Sequence, residues 1–191
     1  MNVQQSPDSL KGQILIAMPG MSDPRFDHSV IYLCAHSDEG AMGLILNKPA
    51  SDLDLTSLME QIGIKPTDKM RKMPVRFGGP VEHGRGFVLH SADYSNNDST
   101  LQVNDAFGMT ATLDILEDIA KGGGPDTCLL ALGYAGWGPG QLEQELQANG
   151  WLTGDVGPEL IFDPNVEGMW SQALHGIGID PSMLSSVGGR A

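Results

Sequence analysis

The stretch GQILIAMPGMSDPRFDHSVIYLCAHSDEGAMGLILN (residues 12–47) contains three apolar runs that decide the class of the fold. GQILIAM (12–18), SVIYLCAH (29–36) and AMGLILN (41–47) each have the length and the apolar, β-branched content of a buried strand. The short acidic turn at 38–40 separates the second run from the third, which predicts an antiparallel hairpin. Apolar residues occupy both alternating faces of these runs. The sequence therefore predicts a sheet that is covered on each side.

Strand and helix patterns alternate after this hairpin. Further strands are predicted at 74–79, 86–91, 100–105, 127–133 and 159–162. Helices are predicted around Leu55–Ile62 with Asp54 as N-cap and Gly63 as stop, around Leu113–Ala120, over 138–150 with Pro139 in the first turn, and from Asp163 to Gly176. No long linker or internal repeat interrupts this order. We therefore predict an α/β (α+β) fold, one domain over residues 1–191, with a mixed β-sheet, flanking helices and a flexible tail at 1–11.

Charge limits the partners that this chain is expected to bind. Its 191 residues include 24 Asp and Glu against 11 Lys and Arg, a formal net charge of −13. Non-specific nucleic-acid affinity comes largely from Lys and Arg that neutralise phosphates, so we predict no direct nucleic-acid binding. Such acidity favours solubility and basic protein partners. No apolar run approaches the roughly 20 residues of a membrane span, and the first dozen residues lack a secretory signal, which predicts a cytoplasmic protein without a membrane partner.

Four motifs occur in a fixed order and carry a family resemblance. They are GQILIAMPGMSDPRFDHSVIYLCAH, GAMGLILNKP, VRFGGPVEHGRGFVLHS and LGYAGWGPGQLEQELQANGWL, and together they extend over most of the chain from Gly12 to about Asp180. The sequence closely resembles the bacterial YqgE/AlgH family. This resemblance implies a single α/β domain with bent sheets folded into a pseudo-barrel and helices outside. The family's label of transcriptional regulator comes from a genetic link to alginate production, and it has no agreed catalytic residues to carry over.

The usual catalytic and metal motifs are missing from the sequence. No Gly-x-Ser-x-Gly turn presents a serine nucleophile, and no His-Glu-x-x-His or Cys-x-x-Cys spacing offers zinc ligands. Glu82, His83 and His90 lie within nine residues and form the one alternative metal group, although such residues are more often turn residues and a hydrogen-bonded strand-end histidine. We therefore predict no catalytic residues, no metal site and no cofactor.

Two glycine-rich loops are the better candidates for a ligand site. Gly136–Gly140 is predicted between a buried strand and a helix start, where free N–H groups and the helix dipole favour an anion. The alternative is a tight turn in which Gly138 has a positive φ or lets the Trp137 ring pack closely. Phe77–Pro80 is a second glycine turn, which either redirects a strand or forms a backbone pocket with the neighbouring LNKP turn. The candidate ligand-binding residues are Asn47, Lys48, Gly78, Gly79, Gly136, Trp137, Gly138 and Gln141.

The cysteines offer one further alternative. Cys34 and Cys128 both lie in apolar runs, where a free cysteine behaves as a small core residue. His36 shares a strand face with Cys34, and a cationic imidazole beside a thiol would lower the thiol pKa and favour redox sensing. Apolar burial opposes that effect. From these patterns we predict a non-enzymatic regulatory or protein-interaction protein. The alternative is a small-molecule or anion-binding protein, or an enzyme, that uses the two glycine loops.

Overall fold

The computed structural model describes residues 9–50, 53–96 and 98–184. Contacts within the chain group it into two compact units. The terminal unit comprises Met1–Asn47 and Ala135–Ala191, and the central unit comprises Lys48–Tyr134. Each unit has its own strand pairings and its own helices.

The strands are β1 (Ile14–Ala17), β2 (Val30–Ser37), β3 (Gly40–Ile45), β4 (Val75–Phe77), β5 (Val81–Ser91), β6 (Thr100–Gln102), β7 (Phe107–Thr110), β8 (Cys128–Trp137) and β9 (Trp151–Gly154). The helices are α1 (Leu55–Gln61), α2 (Leu113–Ala120), α3 (Gln141–Gln147), α4 (Pro158–Ile161) and α5 (Met169–Gly176). Short 3-10 turns occupy Pro24–Phe26 and Pro181–Met183. Strand β8 supplies residues to both units, because the boundary between them falls at Tyr134.

The terminal unit is built on an antiparallel sheet with the strand order β9-β1-β2-β3-β8. The hairpin predicted from the acidic turn is confirmed, with Tyr32 opposite Leu44 and Ser37 opposite Gly40. All four side chains of β1 are buried, at 1% exposure or less, as the apolar pattern on both faces predicts. Helix α3 contacts β3 and β9, and α5 contacts β1 and β2.

The central unit is built on the strand order β6-β7-β5-β8, in which each neighbouring pair is antiparallel. Strand β4 pairs with β8 in parallel, so the sheet is mixed, as predicted. Helices α1 and α2 place apolar side chains on this sheet. Their buried cluster comprises Leu55, Met59, Ile64, Met73, Val88, Ile115, Leu116, Ile119, Ala120 and Leu130.

Several predicted element boundaries are wrong, and one element has the wrong type. The predicted strand at 159–162 is the short helix α4, because Gly157 and Pro158 form a helix start and three apolar residues after Glu159 carry no decisive period. The predicted helix over 138–150 begins only at Gln141, so Pro139 precedes it. The predicted strand at 127–133 continues to Trp137, because its last residues pair with β3. The sequence patterns did not identify β7 and β9.

The prediction of one domain over 1–191 stays a prediction, and the predicted tail at 1–11 lies largely outside the described residues. Within the described ranges, no helix is both long and apolar enough to cross a lipid bilayer.

Candidate functional site

The central unit contains an apolar cleft of about 180 Å³. Four parts of this unit line it: helix α1, strand β5, the start of α2, and β8. The lining residues are Leu58, Ile62, Gly84, Arg85, Gly86, Ala111, Thr112, Leu113, Leu116, Leu130 and Leu132. Most of these side chains are aliphatic, so the cleft offers a surface for an apolar group.

A bulge in strand β5 forms one wall of the cleft. The register moves from Val81 opposite Tyr134 to Gly86 opposite Leu132, so the four residues 82–85 of β5 face the single residue Gly133 of β8. Glu82 has a φ of 46°, which is uncommon for a residue with a side chain. Gly133 makes room for the bulge: its φ is 74°, and a Cβ there would lie 2.3 Å from the Gly79 carbonyl oxygen.

Two helices supply the other walls. On α1, Leu58 and Ile62 are four residues apart and share one face, and Asp54 caps the helix by accepting a hydrogen bond from the Ser57 N–H at 2.8 Å. On α2, Leu113 follows the N-cap Thr112 directly and is 53% exposed.

Only two lining side chains carry polar groups, Arg85 and Thr112. The Arg85 guanidinium lies over the Phe87 ring at 5.2 Å from its centroid and is 3.6 Å from the Glu82 carboxylate, which is longer than a hydrogen bond. Thr112 makes no side-chain cap hydrogen bond to α2, and its Oγ1 is buried without a hydrogen-bond partner. The cleft lining thus contains no carboxylate, imidazole or thiol.

The predicted Gly136–Gly140 loop has a different character. Gly136 and Trp137 belong to β8 and lie opposite Met42 and Ala41 of β3, so they are not loop residues. The Gly138 N–H donates a 3.0 Å hydrogen bond to the Gln141 side-chain oxygen, which already occupies it. This N–H group is therefore already hydrogen-bonded within its own segment.

Trp137 is held by a carboxylate and not by the loop glycines. Its indole N–H donates to Glu145 Oε2 at 2.9 Å, and the Trp151 indole N–H donates to the same oxygen at 2.8 Å. The two rings meet edge to face with centroids 6.1 Å apart. Gln141 completes the group by donating to Glu145 Oε1 at 3.2 Å. Glu145 therefore joins α3 to the ends of β8 and β9.

The predicted tight turn, with a positive φ or a close contact at Gly138, is wrong about which glycine is constrained. Gly138 has no positive φ, and the atom nearest to an added Cβ would be Gln141 Oε1 at 3.9 Å. Gly140 has the left-handed φ of 72° and is the N-cap of α3. Gly40 of β3 is the tight position, since a Cβ there would lie 2.3 Å from the Trp137 carbonyl oxygen.

The remaining candidate ligand residues are engaged by the backbone of their own units. In the terminal unit, the Asn47 side chain accepts from the Val30 N–H at 2.9 Å and donates to the His28 carbonyl at 2.8 Å. In the central unit, the Lys48 carbonyl accepts from the Phe77 N–H at 2.8 Å.

Gly78 and Gly79 lie between β4 and β5. The Gly78 N–H donates to the Leu132 carbonyl at 2.8 Å, and a Cβ at Gly78 would lie 2.3 Å from the Gly133 carbonyl oxygen. None of the eight candidate residues lines the cleft. Their assignment as ligand-binding residues stays a prediction.

His90 is fully buried in the central unit and its ring is hydrogen-bonded on both sides. Nδ1 is 2.8 Å from the Ser91 carbonyl and must donate to it, so Nε2 accepts from the Thr110 hydroxyl at 2.8 Å. Thr110 in turn contacts Thr100 Oγ1 at 2.8 Å. Burial lowers the pKa of His90, although the Ser91 hydrogen bond and the nearby Asp93 charge oppose this shift. Across residues 9–50, 53–96 and 98–184, no cluster of three His, Cys, Asp or Glu side chains could hold a metal ion.

The two cysteines are free, and burial disfavours their ionisation. Burial raises the pKa of Cys34 to about 12 and that of Cys128 to about 11. His36 is occupied elsewhere: Nδ1 accepts from the Leu10 N–H at 2.9 Å, and Nε2 donates to Glu143 at 2.5 Å. That hydrogen bond lowers the pKa of Glu143. An imidazole fixed in this way gives Cys34 little help in forming a thiolate.

The fold and the cleft define a mixed α/β protein whose concave surface carries mostly aliphatic side chains. The family model described as AlgH-like matches residues 14–182. A UPF0301 protein of Ruegeria pomeroyi is 56% identical over 183 residues, which cover 95% of this chain and 99% of that protein. A UPF0301 protein of Nitrobacter hamburgensis is 56% identical over 195 residues, covering 97% of this chain and 90% of that protein.

Two solved structures are similar. The solution structure of the AlgH protein from Pseudomonas aeruginosa has a TM-score of 0.79 and 43% identity, and the match covers 98% of this chain and 99% of that one. A crystal structure of a Corynebacterium diphtheriae protein shares the fold, with a TM-score of 0.71 and 22% identity over 92% of this chain and 91% of that one. The chain belongs to the AlgH-like family. The resemblance and the predicted α/β fold class are confirmed.

Proposed function

We propose that the protein is a non-enzymatic interaction protein that holds an apolar side chain of a partner protein in the central cleft. Acid–base and nucleophilic catalysis require a titratable group at the reacting atoms. The lining residues supply none except the guanidinium of Arg85, which has hydrogen-bond donors and no acceptor, and the hydroxyl of Thr112, which has no base beside it. Their chemistry supports binding.

The size of the cleft favours a side chain over a metabolite. Small-molecule sites usually enclose about 300–1,000 Å³, and an apolar cavity of about 150 Å³ holds a benzene molecule. At about 180 Å³, the cleft accommodates one aromatic or branched aliphatic group. A partner residue of that kind would be the buried anchor that protein interfaces commonly contain.

The exposure of the rim is the observation that carries the proposal. Leu113 is 53% exposed and Ile62 is 38% exposed, and both line the same cleft. Scattered exposed apolar residues are ordinary, but a pair that borders a concave apolar surface leaves a continuous area in water. Covering that area with a partner's side chain would remove it from solvent, at about 25 cal/mol for each Å².

The test is a selection from a phage-displayed library of random peptides, followed by fluorescence polarisation with the enriched peptides. We expect these peptides to share one Leu, Ile, Phe or Trp residue. Leu113→Asp should weaken their binding by about tenfold or more, since it places a charge in the apolar interface.

Leu101→Asp is the matched control. Leu101 lies on β6, is 38% exposed and does not line the cleft, so the same change should leave peptide affinity within about twofold. Circular dichroism of both variants verifies that they remain folded. Peptides that bind Leu113→Asp and the unchanged protein equally would show that the cleft is not the binding site.

A further inference from the structure

We infer that the cleft selects a basic partner segment, in which Lys or Arg residues flank the apolar anchor; this inference rests on the proposed function. The elements that line the cleft carry charge of mostly one sign. On α1 and α2 with their caps and on β5, six carboxylates stand against two cations, Arg85 and Lys121, and Lys121 lies at the end of α2 away from Leu113. The carboxylates are those of Asp54, Glu60, Glu82, Asp114, Glu117 and Asp118.

Helical spacing places two of these carboxylates in line with the residues of the rim. Glu117 lies four residues after Leu113 on α2, and Asp54 lies four residues before Leu58 on α1. Residues at this spacing are neighbours on one helix face. An extended segment that inserted its anchor between Leu58 and Leu113 would therefore carry its flanking residues past carboxylates.

The carboxylates differ in the hydrogen bonds and ion pairs that they already make. Asp54 caps α1, and Asp118 accepts a 2.8 Å hydrogen bond from the Tyr94 hydroxyl. Glu117 is exposed and takes part in no ion pair within the described residues. Glu117 is therefore the carboxylate most available to a partner's cation.

The two cations do not reverse this balance. Arg85 lies 3.6 Å from Glu82, so its charge is largely offset by a carboxylate on the same bulge. Residues 48–134 of the central unit contain 12 Asp and Glu against 8 Lys and Arg, and an acidic surface attracts basic segments and repels acidic ones over a Debye length of about 8–10 Å. This field strengthens the binding of a peptide with Lys beside its anchor and weakens the binding of a peptide with Glu there.

Three short amidated peptides test the inference by ¹⁵N NMR titration: KKGFGKK, EEGFGEE and KKGGGKK. We expect KKGFGKK to shift the amides of α1, α2 and β5 with an affinity about tenfold higher than that of EEGFGEE at low salt. That ratio should shrink at about 0.5 M salt, because salt screens charges at an exposed rim. KKGGGKK lacks the anchor and should bind at least about tenfold more weakly.

Two variants locate the effect. Glu117→Gln should weaken KKGFGKK by about two- to fivefold and leave EEGFGEE unchanged or slightly tighter. Asp105→Asn removes the same charge from the β6–β7 turn, outside the cleft lining, and should change both peptides less than Glu117→Gln does.

The outcomes separate this inference from the proposed function. Equal affinities for KKGFGKK and EEGFGEE, both lost in Leu113→Asp, would overturn the basic partner and leave the cleft as an anchor site. Tighter binding of EEGFGEE would also overturn it, because Arg85 would then dominate. If KKGGGKK bound as well as KKGFGKK, attraction would be independent of the cleft and the inference would be wrong. If neither Phe peptide bound up to millimolar concentration, both proposals would fail.

Discussion

The end of β8 in the terminal unit and the cleft of the central unit differ in what their polar and apolar groups already do. Around Trp137, the indole N–H groups, the Gln141 amide and the Glu145 carboxylate bond to one another. Around Leu113, aliphatic side chains border a concave space and stay partly in water. A region whose groups are mutually satisfied stabilises the fold, whereas a region that leaves apolar surface uncovered can gain from a partner.

The difference also shows how a glycine-rich sequence misleads. The GWGPG motif suggested a loop open to an anion, yet its first residues are strand and its free N–H is capped by Gln141. The cleft has no comparable motif. Its walls include apolar residues of α1 and α2 that lie at the edge of each helix's apolar face.

The largest change in the free energy of unfolding is expected at Gly40, where the backbone is in close contact, and not at Gly138, where it is open. Gly40→Ala should destabilise the protein by about 3 kcal/mol, because its Cβ would meet the Trp137 carbonyl oxygen at 2.3 Å and its φ is 137°. Gly138→Ala is the matched control and should cost less than about 1 kcal/mol, since the position is open and has no positive φ. Urea unfolding measures both. If the two variants lost equal unfolding free energy, a small backbone shift would be relieving the contact at Gly40.

An intermediate effect is expected at the carboxylate shared by two indoles. Glu145→Ala leaves the Trp137 and Trp151 N–H groups without their acceptor and should cost about 2–3 kcal/mol. Glu145→Gln retains an acceptor oxygen and should cost less. The tryptophan emission spectrum reports the change directly, because all three tryptophans of the chain lie in the terminal unit.

The control for Glu145 is Gln144→Ala, an exposed change on the same helix. It should leave stability and emission nearly unchanged. A fully stable Glu145→Ala protein would show that the indole hydrogen bonds contribute nothing net, and the contrast with the cleft would then lose its energetic basis.

The smallest expected effect is a pH dependence confined to the central unit. The pKa of folded His90 lies below its ordinary value of 6.5, whereas the unfolded chain takes up its proton near that value. The contribution of His90 to stability is thus fully present above about pH 6.5 and is lost as pH falls through the folded pKa. Hydrogen-exchange protection factors in β5 and β7, which are corrected for the intrinsic pH dependence of exchange, should fall on acidification before tryptophan emission in the terminal unit changes.

An NMR titration of the His90 ring measures this shift without any substitution. Its midpoint should lie below 6.5. A His90 midpoint at or above 6.5 would mean that the hydrogen bonds to Ser91 and Thr110 do not hold the ring neutral.

The sequence predicted well wherever local chemistry is decisive. The apolar runs of β1, β2 and β3, the hairpin turn, and the Asp54 cap of α1 all have the predicted identity. Prediction failed where local signals were weak or shared by two structures. Residues 159–161 of the predicted strand belong to the helix α4, and the strand β9 has too few residues to show a clear alternation.

Sequence by itself determined the α/β class, the family, the acidic charge and the burial of both strand faces in the first three strands, because these follow from composition and from local period. Tertiary structure alone decided which residues are left uncovered. Leu113 and Leu116 have the same place in a helical stripe, yet one is exposed and the other buried. The reason is physical. The period of the apolar residues indicates which face of a helix turns inward. Exposure depends instead on how far the opposing sheet and its bulge extend, and those contacts join residues that are distant in the chain.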